Sequence, residues 1–219
     1  MFASGNDVQP VDARLQQSQR VLVDQGAALL AQGKVAEGTA FLDLAQNQVE
    51  IKVGFDGSQL SLAEADRASR AVQKAAELWK SALGPGARVS VVPISQANVR
   101  VHARSQAGGV SHLAGLARWV KRVVRVGNGA YEPRISADVT LLTKVASEKE
   151  LSTEALAYVT AHELGHVLGL DDTTHCGELM GPAQLQRPVS GPTETELRAL
   201  ARLNDQADFV ARVALPKAR

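Results

Sequence analysis

One helix end constrains this chain more than any other feature. Ser152 to Leu170 reads as a helix with Ser152 as N-cap and Gly169 at its end, and inside it lies His162-Glu163-Leu164-Gly165-His166. A spacing of four puts both imidazoles on one face, one turn apart, where they can grip a single cation. Glu163 then sits beside that cation without ligating it, placed to take a proton from a metal-activated water. Gly169 can adopt a left-handed conformation and turn the chain back over the metal, and three residues later comes Asp172, a candidate third ligand. His175 lies close enough in sequence to replace Asp172 or to bond to it, so the choice between the two stays open here. Asp171 is expected to point elsewhere and to cap or solvate the turn.

The stretch from His162 to Asp172 resembles the long zinc-binding motif of the metzincin peptidases, most closely the matrixin-like branch. Its last position is similar to the snapalysin-type variant, with aspartate where histidine is usual. Zinc accepts carboxylate oxygen, so Asp172 is chemically sound as a ligand, although its charge should make a bound water less acidic than three neutral imidazoles would. Gly177-Glu-Leu-Met180-Gly181-Pro182 resembles the family's Met-turn, which would place the Met180 thioether beneath the zinc. The resemblance covers about Val49 to Arg219. It implies an α+β, metzincin-like zincin fold: a twisted mixed sheet, two long helices, the Met-turn and a C-terminal helix. It also implies one catalytic zinc ion, Glu163 as general base, and a protein or peptide substrate laid along a sheet edge, for which Ala137 to Thr143 is the candidate. Gly181 and Pro182 would wall the pocket after the scissile bond, with the small Gly181 permitting a roomy one.

Upstream, apolar residues recur at helical spacing from Asp12 to about Ala45, with Gln32-Gly33-Lys34 as the break, which predicts a helical hairpin. Ala28 to Gly38 resembles the turn of a tetratricopeptide unit, but no second copy follows at the period a solenoid requires. Residues 1–47 are therefore expected to form an extension that contacts either a partner or the remainder of the chain, residues 48–219. The inhibitory cysteine of matrixin pro-segments is absent from it. Val49 to Phe55 alternates as a strand ending at Asp56-Gly57, and Ser61 to Leu83 is a helix opened by a Ser61/Glu64 capping box. Arg88 to Ile94, Asn98 to Arg104, Arg122 to Val126 and Ile135 to Leu142 read as four further strands, with Gly108-Gly109 and Gly115-Leu-Ala in loops, and Pro192 to Leu215 as a last helix.

Composition narrows the alternatives. With 24 Lys and Arg against 23 Asp and Glu, the net charge of +1 gives no reason to expect nucleic acid or an anionic membrane. No apolar run reaches the length of a membrane span, and the N-terminus lacks a signal-peptide pattern, so a secreted or cell-envelope location would require a leader absent from this sequence; a cytoplasmic one is the alternative. The single cysteine, Cys176, excludes an internal disulfide and a Cys-rich zinc finger, and fits a small buried residue in a turn. His102 and His112 default to structural or exposed roles. The competing functions are a zinc-stabilised binding protein without turnover and a zinc hydrolase of a non-peptide amide.

Overall fold

The computed structural model describes residues 14–105, 114–145 and 149–214. The described residues form an α+β fold whose five strands make one mixed sheet. The chain runs α1 (Gln17–Ala31), α2 (Val35–Ala45), β1 (Ile51–Asp56), α3 (Leu62–Leu83), β2 (Val89–Val91), β3 (Val99–Arg104), β4 (Gly115–Arg125), β5 (Tyr131–Leu142), α4 (Thr153–Leu168) and α5 (Glu194–Ala214). Gly108, Gly109 and His112 lie outside the described residues. No described helix is long and apolar enough to cross a membrane.

The strand order is β2-β1-β3-β5-β4, parallel except for β4, which runs antiparallel to β5. Odd-numbered residues of β3 and β5 (Val99, Val101, Val139, Leu141) point into the core. Even-numbered ones such as Arg100, Arg104 and Asp138 face solvent, the alternation of a sheet covered on one side. The covering layer is α3 and α4. An alanine stripe on α3 (Ala68, Ala71, Ala75, Ala76) lets the backbones approach, and the buried Trp79 donates its indole N–H to Ala161 O on α4 at 2.8 Å. The Ser61/Glu64 capping box is formed, and Glu64 reaches on to Ser105 and Lys144, tying the start of α3 to the ends of β3 and β5.

Three expectations change. Arg122 to Val126 is only the end of an eleven-residue strand, β4, which already begins at Gly115. Its solvent face carries Arg118 and Arg122, so hydrophobicity alone does not mark it. Because β5 pairs with β3 on one side and β4 on the other, Ala137 to Thr143 lies inside the sheet, and the edge belongs to β4. The strand sought at Arg88 to Ile94 stops at Val91; Pro93 has no N–H to donate to a ladder, and the chain turns into a 3-10 segment at Ile94–Gln96.

At the N-terminus the helical hairpin forms with its break where expected, at Gly33 (φ +75°). Gly26 and Gly38 sit at its crossing, where a Cβ on either would strike Leu42 or Leu30 of the opposing helix. Leu15, read as helical, instead forms an antiparallel bridge with Leu170. The hairpin packs α1 against α5 and α2 against β4, β5 and α5.

Candidate metal centre

The centre is assembled around the C-terminal half of α4. Ser152 accepts the Ala155 N–H at the helix start, and at the end Gly169 is left-handed (φ +107°), with its N–H and that of Leu170 both donated to Gly165 O. The chain doubles back, and the Asp171 side chain accepts the Asp172 N–H at 3.0 Å, the capping role read from the sequence. Asp172 Oδ1 then stands 3.3 Å from His162 Nε2 and 3.4 Å from His166 Nε2.

The other ring nitrogens fix what those atoms can do. His162 Nδ1 lies 2.9 Å from Leu179 O, and His166 Nδ1 lies 3.0 Å from Leu170 O. A carbonyl only accepts, so both Nδ1 atoms carry a proton, and each ring turns its Nε2, the atom it can offer to a metal, towards the Asp172 carboxylate. The two distances to Asp172 suit zinc: bonds of about 2.0 to 2.1 Å at the tetrahedral angle separate two ligand atoms by about 3.4 Å. Among the described residues these are the His, Cys, Asp and Glu side chains that gather in a metal-holding group. His175 is not among them; it is exposed, its Nδ1 2.7 Å from Thr173 Oγ1.

Glu163 is pressed between α4 and β4. A Cβ on Gly115 would fall 2.6 Å from Glu163 Oε1, so only glycine allows the strand this close. Burial raises the Glu163 carboxyl to about 7, with Asp172 adding to the rise, while His162 and a backbone hydrogen bond from Ala117 oppose it. Trp119, also on β4, stacks on His166 with ring centroids 5.8 Å apart and planes 5° from parallel, forming one wall of the site.

Neither protein-family models nor curated protein sequences match this chain.

Met180 is fully buried, and its thioether lies against Gly165, where a Cβ would collide with it. Gly181 is buried as well, but the direction its side chain would take is blocked by the His175 carbonyl, so its smallness closes the turn rather than widening a pocket. Pro182 is exposed. Cys176, expected to be buried, is an exposed free thiol on the surface of this turn. His102 sits on the open face of the sheet between Asp56 (3.2 Å) and Asp138 (3.5 Å).

Glu196 was not marked by the sequence reading. Its buried carboxylate accepts the N–H groups of Leu179 (3.3 Å), Met180 (2.7 Å) and Thr193 (2.6 Å) and the Thr193 hydroxyl (2.9 Å). It thereby holds the peptide whose carbonyl orients His162. The Thr193-x-x-Glu196 capping box at the head of α5 was the available signal.

Proposed function

We propose that this protein is a zinc-dependent endopeptidase of the metzincin type, matrixin-like, with Asp172 as third ligand. The observation that carries the reading is the convergence of His162 Nε2, His166 Nε2 and the Asp172 carboxylate at 3.3 and 3.4 Å beside the buried Glu163. Zinc held by these residues supplies a Lewis acid that acidifies water and polarises a carbonyl. Glu163, poised near neutrality, accepts a proton from the attacking water and delivers it to the leaving amine nitrogen. Leu170 and Leu179 carbonyls hold the imidazoles in the tautomer the chemistry needs.

The substrate would lie along β4. Among the described residues its outer edge pairs with no strand, and it runs directly over Glu163 and His166, so an extended peptide adding to that edge brings its backbone to the metal. Trp119 then forms part of the substrate's wall, and Pro182 is the surface residue beyond the Met180 turn.

The test compares the parent chain with Glu163→Gln for zinc content and for cleavage of casein. The expected result is about one zinc in each, with cleavage by the variant reduced by at least ~100-fold. A parent chain that binds zinc but cleaves no protein substrate would point instead to a metal-stabilised binding protein, and cleavage confined to non-peptide amides to the other rival. Absence of zinc binding would overturn the reading altogether.

A further inference from the structure

We propose that Arg14–Gln19 is a built-in brace of the metal centre and that Gln16 is a positioning residue for His166 and Asp172. This rests on the zinc reading above. α4 ends beside the centre, and the last carbonyls of a helix have no partner within it. At this end and just past it, four carbonyls, on His166, Leu168, Gly169 and Leu170, receive donors from the N-terminal segment or the end of the hairpin. Gln16 N donates to Gly169 O at 2.9 Å, and the Gln16 side-chain amide donates to Leu170 O at 2.9 Å and to His166 O at 3.2 Å. Leu168 O accepts from Gln19 (3.1 Å) and from Asn47 (2.8 Å).

Two features separate this arrangement from ordinary docking of a hairpin. First, Leu170 O is the carbonyl that also accepts His166 Nδ1–H, so one amide group bridges the backbone of a ligand residue and the acceptor that orients its ring. Second, Leu15 and Leu170 form an antiparallel bridge closed on its far side by Asp171 N donating to Arg14 O at 2.7 Å, which clamps the backbone one residue ahead of Asp172. From the same segment Arg14 pairs with Glu178 at 2.9 Å, reaching the turn whose Leu179 carbonyl orients His162. Both carbonyls that set the imidazoles are thus attached, directly or through one ion pair, to residues 14–16. Gly169 completes the fit, since a Cβ there would strike the Gln19 side chain.

The test uses the full chain and measures zinc affinity by chelator competition and the visible absorption of the cobalt-substituted protein. Gln16→Met, which keeps the shape and removes the amide, is expected to lose about 10- to 100-fold in zinc affinity and to change the cobalt bands. The control is Gln46→Met, which cuts hairpin bonds to Asn204 O and Asp208 on α5, away from the centre. It should lower stability but hold zinc within about twofold of the parent.

Parental affinity and cobalt spectrum in Gln16→Met would overturn the proposal, as would an equal loss in Gln46→Met, which would mean that the hairpin matters only for stability. If Gln16→Met does not fold, Arg14→Met takes its place: weakened zinc binding supports the brace and parental binding overturns it. A parent chain that binds neither zinc nor cobalt would instead sink the metal reading itself.

Discussion

Gly165 lies within the His-Glu-x-x-His turn, just before His166, and its α-carbon faces the Met180 thioether and the Trp79 ring, both fully buried. A methyl group there has nowhere to go, because Trp79 is held by its bond to Ala161 O and Met180 by the two N–H groups bonded to Glu196. Gly165→Ala is therefore expected to cost about 1 to 3 kcal/mol, as overpacking does, despite alanine's better helix propensity. Urea unfolding of the metal-free chain measures it; unchanged or higher stability would show that Met180 can give way. At this scale the sequence was informative about ligands and weak about their supports. His162, Glu163 and His166 announce themselves by spacing, and Asp172 as one of two candidates with His175. Gln16, Gln19 and Trp119 act through partners up to about 150 positions away, and no local pattern reports such partners.

Elements show the same division. α3 and α4 were legible because capping residues and an apolar stripe are local properties, and both caps form as read. β4 was not, since its alternation is masked by arginines on the open face and its register comes from pairing with β5. Glu64 shows how a cap becomes a tertiary joint. Its carboxyl is held down to about 2 by hydrogen bonds from the Ser61 side chain and backbone, with Ser105 and Lys144 contributing. A folded-state value below the unfolded one stabilises the fold fully above about pH 4.5, and that contribution is lost as pH falls towards 2. The parent should lose stability over this window more steeply than Glu64→Gln in chemical denaturation at pH 7, 4 and 2.5. Parallel profiles would mean that the cap is not coupled to folding.

For the whole molecule, the sheet, the hairpin and the helix that carries His162 and His166 meet around a single core. Lys121 marks one such meeting: it projects from β4 beneath the end of α2, its ammonium 3.1 Å from Asn47 Oδ1, with no carboxylate paired to it among the described residues. Burial lowers its pKa from 10.5 to about 7. Because the folded value lies below the unfolded one for a base, the charge opposes folding fully below pH 7, and the penalty fades between 7 and 10.5. Lys121→Met should accordingly be more stable than the parent at pH 6, with the difference shrinking by pH 9.5. A pH-independent difference in urea midpoint would show that the ammonium reaches solvent.

The sequence by itself determined the candidate residues His162, Glu163 and His166 and the helices α3 and α4, because a four-residue spacing on a helix, a cap and a glycine stop are settled by backbone geometry within a few residues. The tertiary structure alone decided which strand forms the sheet edge, that Asp172 rather than His175 meets the imidazoles, and that the N-terminal segment grips the end of α4. Those outcomes depend on pairings between distant backbone groups, and a carbonyl or N–H carries no side-chain signature of the partner it will find.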